Sequence, residues 1–527
     1  MRVKPLGRAC CQQLVSLASI HTGRWLHRPE AALFALVLGA YSYFYQAGGW
    51  NQNSRFDLTR AIVEQRTSSL DRYAYNTGDL SCSGPLGRCE QTDIKGVEHY
   101  YCDKAPGASW LAIPAYAVAY TMFGTDRPNQ RYLAMSAWGV TIVAVGVPSG
   151  IAVVMLYLML KAFTGSELVR IALALAYGLA TLAFPYSTLF YGHQLTAAFL
   201  VIGFTLLVWT KHLTAHSPRT SLLITVGFVL GYAVVVEYPS AMTLIPLVGY
   251  AATFVRPWRR LGWLVGGGVV TAIPLVVYHW LVFGGPLTLP YKFSTQLPRH
   301  IGFMGLGQPS PDVLDAILIS EYRGLFYSAP WLLLAIPGAI VLLGRRGRRT
   351  EGLVCVIIST LFVWLNSSLV DWQGGWAMGP RYLIPAIPFL TVLVVGVVPR
   401  SCLRSSGSRA AASVGVALAC AIVMASAILM IAGTAVKPEV PMDIQRPFAD
   451  YLLPALYRGK LSISTQSIDS KWPVGSERQA WNVGQLAGLD GLISLAPLGL
   501  YIAVTGAWLA WSARQCAGAD ADHRRLR

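Results

Sequence analysis

Long apolar segments alternate with short polar ones along most of this chain. Spanning a bilayer takes about 20 apolar residues per helix, and about a dozen segments approach that length. These segments are residues 31–48, 132–160, 171–188, 194–210, 221–236, 240–254, 261–283, 326–343, 353–370, 383–399, 410–436 and 491–511. Because the bilayer core holds no water, each must be a helix that closes its own backbone hydrogen bonds. The pattern predicts an all-α polytopic membrane protein with about 12 transmembrane helices.

One polar stretch, residues 49–131, follows the first apolar segment and is the longest interruption of this pattern. Residues 54–57 (SRFD) resemble a capping box at the start of a short helix. Pro106 is expected to open a second short helix. Both helices are predicted to lie along the membrane interface. The chain is thereby divided into a cytoplasmic tail, one transmembrane domain, a large outer loop and a last outer loop, at 1–30, 31–527, 49–131 and 437–490.

Composition and charge fit a membrane protein better than a nucleic-acid-binding one. The chain is 54% hydrophobic and 13% charged, which is too apolar for a soluble protein, and its net charge is +17. If the helices alternate from a cytoplasmic N-terminus, the inner side carries 23 basic and 5 acidic residues, and the rest of the chain carries 19 and 20. The positive-inside rule explains this asymmetry. We expect an inner (plasma) membrane protein with both termini in the cytoplasm, an uncleaved first helix and no nucleic-acid partner.

The cysteines do not suggest a metal site. Cys82 and Cys89 flank a short turn and would form a disulfide in an oxidising compartment, although two free thiols are an equal alternative. No cysteine pairing has the spacing of a zinc site. The sequence requires no cofactor, and a divalent metal stays an open alternative.

The outer loops are rich in side chains suited to a lipid-linked sugar donor. Such a donor has an anionic phosphate at the membrane surface and an apolar tail in the bilayer. Sugar transfer by displacement needs a carboxylate to accept a proton from the acceptor and cations to hold the departing phosphate. The outer loops supply carboxylates, cations and aromatic rings: Asp57, Asp71, Asp79 and Asp103; Arg55, Arg60, Lys104, Lys292, Arg323 and Arg381; Tyr100, Tyr101, Trp110, Trp372 and Trp376.

At these residues the sequence resembles a family of membrane enzymes. NSRFDLTRAIVEQ followed by HYYCDKAPGASWLAIP is similar to the first outer loop of the GT-C glycosyltransferases. These include dolichyl-phosphate-mannose protein mannosyltransferases, the lipid A aminoarabinose transferase and undecaprenyl-phosphate sugar transferases. The chain departs from the family in having Asn51 and Asn53 where an acidic pair is usual, an extra Ala105 in the Asp-Lys-Pro motif, and His193 in a loop that often holds an acid.

The resemblance implies roles for individual residues. Asp57 or Asp79, with Asp71 as a third candidate, would be the catalytic base. Lys104, Arg323 and Arg381 would hold the donor phosphate. Substrate contacts would come from Arg55, Tyr101, Asp103, His193 and Glu237.

Each of these residues also has a purely structural alternative. Asp57 could cap a helix, Asp79 could belong to a turn and Asp71 could pair with a neighbouring arginine. Lys104 could extend to the interface, Arg381 could pair with Asp371 and Arg323 with Glu321. His193 could be a hydrogen-bonded interface residue, and Glu237 could cap the turn before Pro239.

The predicted function is transfer of a sugar from a polyprenyl-phosphate donor to a glycan, lipid or protein of the cell envelope on the extracytoplasmic face, with inversion. The membrane lipids would surround the donor tail. A transporter or flippase of lipid-linked sugars is the alternative, but its charged sites would lie near the bilayer midplane. A non-catalytic membrane subunit with the same fold is a third interpretation.

Overall fold

The computed structural model describes residues 28–83, 99–125, 128–213, 218–398, 409–472 and 479–525. Most of the tail predicted at residues 1–30 therefore lies outside the described residues. The α-helices are, in chain order, α1 (Pro29–Ser42), α2 (Trp50–Arg60), α3 (Gly107–Phe123), α4 (Gln130–Thr141), α5 (Val147–Met159), α6 (Glu167–Leu179), α7 (Ala183–Ser187), α8 (Gly192–Leu213), α9 (Thr220–Val236), α10 (Leu244–Ala252), α11 (Leu261–Phe283), α12 (Pro311–Leu318), α13 (Leu325–Ser328), α14 (Ala335–Gly344), α15 (Arg349–Ser367), α16 (Ile387–Val394), α17 (Arg409–Val436), α18 (Leu453–Tyr457), α19 (Val483–Leu486) and α20 (Ala496–Arg525).

Every apolar segment of the sequence is occupied by helix, so the predicted helical character is confirmed. Within the described residues, six helical stretches are long and apolar enough to cross a membrane: Gln130–Ala162, Gly192–His212, Trp258–Phe283, Arg349–Ser367, Val414–Val436 and Gly491–Gln515. Shorter apolar helices are Pro29–Ser42, Thr220–Val236, Pro330–Gly344 and Arg381–Val397. The count of about 12 spans stays a prediction, because the shorter helices do not reach the usual spanning length.

Small residues let α9 and α11 pack backbone against backbone. A Cβ atom on Gly227 of α9 would lie 1.8 Å from the carbonyl oxygen of Leu264. A Cβ atom on Gly267 of α11 would lie 2.1 Å from the carbonyl oxygen of Ile224. Only glycine fits at both positions, as is typical where helices of membrane proteins approach closely. This contact helps to fix the end of α9, from which Glu237 follows.

Two short β-sheets connect the outer loops. Strands β1 (Phe44–Tyr45) and β4 (Trp481–Asn482) pair antiparallel, so the chain just before α2 is bonded to the last outer loop. Strands β2 (Leu80–Ser83) and β3 (His99–Cys102) form a hairpin, and Ser81 also bridges to Ser294. Three loops that are distant in sequence are thereby brought together.

Cys82, in β2, is disulfide-bonded. The other half of the predicted disulfide, Cys89, lies outside the described residues.

The helices of the first outer loop differ from their prediction in one respect. The capping box predicted at residues 54–57 is wrong, because α2 already begins at Trp50. The hydroxyl of Ser54 instead donates a hydrogen bond to the carbonyl oxygen of Asp79 at 2.7 Å. All residues of α2 after Trp50 are buried, although most are polar. Helix α3 begins after Pro106 as predicted, and the interface position of both helices stays a prediction.

Candidate active site

Arg55 is a fully buried cation at the centre of α2. Its Nη2 forms an ion pair with Glu237 Oε1 at 2.5 Å. Its Nε and Nη1 donate to the Asn51 side chain and the Ala105 carbonyl, each at 3.1 Å. Because a buried charge is costly unless it is paired and hydrogen-bonded, these contacts fix α2 against the segment that follows α9. Gly192 makes room for the pair, since a Cβ there would lie 2.1 Å from Glu237 Oε1.

Lys104 lies between two carboxylates. Its Nζ is 3.1 Å from Asp79 and 2.9 Å from Asp103, and the hydroxyl of Ser294 donates to Asp103 at 3.2 Å. Burial alone would lower the pKa of the Lys104 ammonium, but the two carboxylates outweigh it and raise that pKa. Burial raises the pKa of Asp103, against the opposing effect of Lys104. Of the two acids, Asp79 is the more accessible, with 15% of its side chain exposed against none for Asp103.

Arg381 and Arg323 are buried cations of a different kind. Within the described residues, neither forms an ion pair with a carboxylate, and the Nε atom of each has no hydrogen-bond partner. Arg381 donates to the hydroxyl of Tyr191 at 3.3 Å and lies over its ring. Arg323 donates to the carbonyl oxygens of Ala377 and Gly375. Burial lowers the pKa of Arg323, and the nearby charge of Arg381 acts in the same direction.

The structural alternatives for these two arginines are therefore not realised. Glu321, the alternative partner of Arg323, pairs instead with Arg446 at 2.6 Å. Asp371, the alternative partner of Arg381, accepts a hydrogen bond from Tyr382 at 3.4 Å. The two arginines thus place like charges near each other in a buried environment.

His193 connects the two halves of this charge cluster. It lies at the start of α8 and is 7% exposed. Its Nδ1 is 3.9 Å from Glu237 Oε1, and its buried Nε2 has no hydrogen-bond partner among the described residues. The imidazole lies in the electrostatic field of four cations: Arg381, Arg55, Lys104 and Arg299. Lys104 and Arg381, which are far apart in sequence, thus both act electrostatically on the imidazole of His193.

Arg299 is a cation of the site that the sequence analysis did not identify. Its guanidinium lies 4.5 Å from the ring centroid of Tyr291, and its charge interacts with those of Asp103 and Asp371. It lies in the Gly/Pro-rich loop after α11, which has no pattern that distinguishes one basic residue from another. Contacts between distant segments, such as the bridge from β2 to Ser294 and the hydrogen bond from Ser81 to the Pro290 carbonyl, bring this loop to the site.

Glu439 and Lys437 also lie next to the site and were not predicted. The carboxylate of Glu439 accepts hydrogen bonds from Tyr191 at 2.6 Å and Gln52 at 2.9 Å, and burial raises its pKa to about 7. Lys437 donates to Thr465 at 3.0 Å, and burial lowers its pKa to about 8. Charged residues directly after the apolar run of α17 were the available signal, because a membrane end is an expensive place for a charge.

Asp57 occupies a structural position. It is fully buried, and its two oxygens accept hydrogen bonds from Arg60 at 3.2 Å and Asn76 at 2.9 Å. Burial raises the pKa of Asp57 to about 7, while the charge of Arg60 opposes the shift. Both oxygens of this enclosed carboxylate are thus already hydrogen-bonded, and its assignment as base stays a prediction.

Asp71 and Tyr101 lie at the edge of the hairpin. Asp71 is exposed and accepts hydrogen bonds from the Tyr100 backbone at 2.8 Å and from His99, whose Nδ1 is 2.6 Å away. The partial burial of Asp71 would raise its pKa, but hydrogen bonds from Ser69, Tyr100 and His99 outweigh this effect and lower it. Asp71 therefore holds strand β3 against the short helical segment Asp71–Asn76, and the described partners of its carboxylate are a histidine and a backbone amide rather than an arginine. Tyr101 packs edge-on against Phe283 of α11.

Metal binding has no clear site in this part of the molecule. Among the described residues, no group of three or more His, Cys, Asp and Glu side chains has the arrangement needed to hold a metal ion. Lys104 lies between the carboxylates of Asp79 and Asp103, where its ammonium balances their charge.

Comparison with known proteins gives a structural likeness. No family model and no curated protein matches the chain. Among solved structures, the chain is similar to ArnT from Cupriavidus metallidurans in complex with undecaprenyl phosphate. The sequences are 17% identical, the TM-score is 0.47, and the similarity covers 97% of this chain and 80% of that one.

The chain is also similar to the oligosaccharyltransferase AglB from Archaeoglobus fulgidus, which was solved with a tethered acceptor peptide. Here the identity is 11%, the TM-score is 0.46, and the similarity covers 87% of this chain but only 60% of AglB. ArnT and AglB both belong to the GT-C superfamily that the outer-loop motifs resemble. At these identities residue roles do not carry over, so the roles proposed next depend on the geometry of this chain alone.

Proposed function

We propose that this protein is a membrane glycosyltransferase that moves a sugar from a polyprenyl-phosphate donor to a cell-envelope glycan, lipid or protein on the extracytoplasmic face. The observation that carries the proposal is the buried pair of Arg381 and Arg323, which lack carboxylate partners among the described residues. Like charges in a low-dielectric site raise one another's free energy, and a bound anion removes that cost. Phosphate suits this site because guanidinium groups bind it in a two-pronged geometry.

Asp79 is the carboxylate best placed to act as base. It is the partly exposed member of the Asp79–Lys104–Asp103 group, whereas Asp57 is enclosed and Asp71 points away into solvent. In the reaction, the acceptor hydroxyl gives its proton to the Asp79 carboxylate. At the same time, the hydroxyl oxygen forms a bond to the anomeric carbon of the donor sugar. The bond from that carbon to the phosphate oxygen breaks, and polyprenyl phosphate leaves with the electron pair. A single displacement of this kind inverts the anomeric carbon.

Lys104 takes a different role from the one the sequence suggested. Two carboxylates within 3.1 Å already neutralise its ammonium, so we assign the phosphate first to Arg381 and Arg323. Lys104 instead holds the Asp79 carboxylate in position through their ion pair. The buried Nε2 of His193, which lacks a partner within the described residues, is free to contact the phosphate or the sugar.

The first experiment measures lipid binding and transfer by the purified full chain in nanodiscs. The proposal expects undecaprenyl phosphate to bind at least about tenfold more tightly than undecaprenol, since one charge-assisted contact accounts for that difference. Undecaprenyl-phosphate sugars should then release undecaprenyl phosphate when a cell-envelope extract supplies acceptors. Equal binding of the two lipids would contradict the phosphate site. Binding and movement of the lipid across the bilayer without release would indicate the flippase alternative.

A further inference from the structure

A second polar cluster lies beside the arginines and is connected to them through Tyr191 and the backbone around Trp376. We call it the 437–466 cluster, and it consists of Lys437, Glu439, Thr465 and Gln466 with Trp376 and Gln52. Lys437 Nζ lies 4.6 Å from the ring centroid of Trp376 and uses one of its three donors, on Thr465. The buried Oε1 of Gln466 has no hydrogen-bond partner among the described residues.

The 437–466 cluster surrounds the glycines just before α2. A Cβ atom on Gly49 would lie 2.5 Å from Glu439 Oε1 and 2.9 Å from Gln466 Oε1. The side chains of the two residues therefore meet at a point where the chain carries no side chain of its own. Gln52 is held rigidly there, since its amide donates to Glu439 and Ala47 at 2.9 Å and accepts from the Phe190 backbone at 3.0 Å.

Two contacts connect the 437–466 cluster to the arginines. The hydroxyl of Tyr191 donates to Glu439 and accepts from Arg381, so one phenol separates that carboxylate from a phosphate-binding cation. On the other side, Arg323 donates to the carbonyl oxygens on both sides of Trp376. Whatever is covalently attached to a phosphate held by these arginines would therefore lie against this cluster.

The side chains of the cluster are of the types that bind sugars. An ammonium with free donors, a carboxylate and an amide oxygen without a partner match the mixed donors and acceptors of vicinal hydroxyl groups. A half-buried indole offers an apolar face for the C–H side of a sugar ring. Fixing a ligand by a few placed polar groups beside an aromatic wall is typical of small-molecule sites.

We propose that the 437–466 cluster is the subsite for the donor sugar, and that the sugar is a neutral saccharide. This inference rests on the proposed function. The cluster supplies one cation and one anion, which together suit a ring without charge. An amino sugar would place a further cation beside Lys437, and a uronic acid would place a further anion beside Glu439, so either would leave a like-charge contact in a buried site.

The test compares lipids that differ only in their sugar. With the full chain in nanodiscs, dissociation constants are measured for undecaprenyl phosphate and for its glucose, mannose, arabinose and 4-amino-arabinose conjugates. The wild type should bind at least one neutral conjugate about tenfold more tightly than the bare phosphate, and should bind the amino conjugate less tightly than that neutral one. We define the gain from the sugar as the dissociation constant of the bare phosphate divided by that of the sugar conjugate. Lys437→Met and Gln466→Leu should each reduce this ratio toward one for the neutral sugar.

Lys471→Met is the matched control. Lys471 also lies over an aromatic ring, that of Tyr75 at 4.3 Å, and belongs to the same outer loop, but it is exposed and its described contacts are with Tyr75 and Asp469. Its substitution should leave the gain from the sugar unchanged. A variant that fails to fold is recognised by its thermal unfolding. Because Gln466→Leu removes no charge, a loss of sugar binding in this variant cannot be attributed to an unpaired Glu439.

The outcomes separate this inference from the function it rests on. If the wild type binds undecaprenyl phosphate no better than undecaprenol, the proposed function fails. If it binds the phosphate but gains nothing from any neutral sugar, or keeps the gain in both variants, the donor subsite is wrong. A raised KM for the acceptor without a change in the gain would assign the cluster to the acceptor. A preference for the amino conjugate would overturn the neutral-sugar assignment.

Discussion

Helix α8 has a cluster of buried charge at each end, and the two clusters are built differently. At its C-terminal end, Lys211 and His212 donate to Glu351 of α15 at 2.8 and 2.7 Å, and Tyr250 donates to the same carboxylate at 2.8 Å. Glu351 is fully buried, and its negative charge is compensated by these three donors. We call this cluster closed, because its buried charges are paired with one another.

At the N-terminal end of α8, the cluster is open. His193 Nε2, Arg381 Nε and Arg323 Nε are buried without hydrogen-bond partners among the described residues. Unsatisfied buried polar groups cost free energy, so a fold tolerates them mainly where something else is to bind. The comparison suggests a rule for this protein, that closed charge clusters hold helices together whereas the open one is reserved for a ligand.

The largest expected effect is on Asp79, at the open end. Asp79→Asn removes the proton acceptor while Lys104 keeps Asp103 as a partner. We expect the turnover number to fall by about 10²–10⁴-fold, the usual contribution of a general base. Asp71→Asn is the control, because Asp71 belongs to the same loop but, among the described residues, its carboxylate contacts only His99 and the Tyr100 backbone. Equal activities of the two variants, measured as release of undecaprenyl phosphate, would eliminate Asp79 as the base.

Arg381→Met tests the open end directly. Loss of one charge-assisted phosphate contact should lower transfer by about 10²–10³-fold. The melting temperature should not fall, since the variant removes a buried cation that has no carboxylate partner within the described residues. Binding of undecaprenyl phosphate and thermal unfolding in nanodiscs measure the two effects separately. A large loss of thermal stability with transfer retained in the folded fraction would show that Arg381 is structural, and the comparison would fail.

Glu351→Gln should give the opposite result at the closed end. Breaking a buried ion pair by removing one partner costs about 3–5 kcal/mol, because Lys211 is left without its carboxylate. Transfer by the folded protein should be retained. Glu321→Gln is the matched control, since the pair of Glu321 with Arg446 is about half exposed and such pairs contribute about 0–1 kcal/mol. If both substitutions have equal effects on thermal unfolding, the cluster at Glu351 does not stabilise the fold.

The helical character of the apolar segments was predictable from the sequence, because it depends on local patterns. Runs of about 20 apolar residues can be recognised without knowing their neighbours. Pro106 marks the start of α3 in the same local way. Lys104 and Arg381 were named from motifs, and the structure places both near His193.

The rest of the site could not be predicted, since it depends on contacts between distant segments. Glu439 reaches the site through Tyr191, and β1 bonds to β4 across most of the chain. Arg299 is one basic residue among several in a loop of irregular structure. The complete burial of Asp57 is likewise a tertiary property, which the local pattern of an acid next to an arginine does not reveal.

The smallest predicted effect concerns Asp57 of α2, a buried carboxylate whose oxygens are both hydrogen-bonded, as in the closed cluster. Its pKa is raised from 3.8 to about 7, first by burial. Between about pH 7 and pH 4 the folded protein therefore holds a proton that the unfolded chain has released, so this group makes the fold more stable as the pH falls. The change is on the order of a few kcal/mol at most.

The measurement is the melting temperature of the wild type minus that of Asp57→Asn between pH 8 and pH 4.5. The difference should rise as the pH falls, because only the wild type gains this proton. Asp71→Asn should give almost no change over this range, since hydrogen bonds lower the pKa of Asp71 below 3.8 and its contribution is lost only at still lower pH. A difference that falls for Asp57 would mean that its ion pair with Arg60 outweighs burial. Asp57 would then be ionised in the folded protein, and it would remain a candidate for the catalytic base.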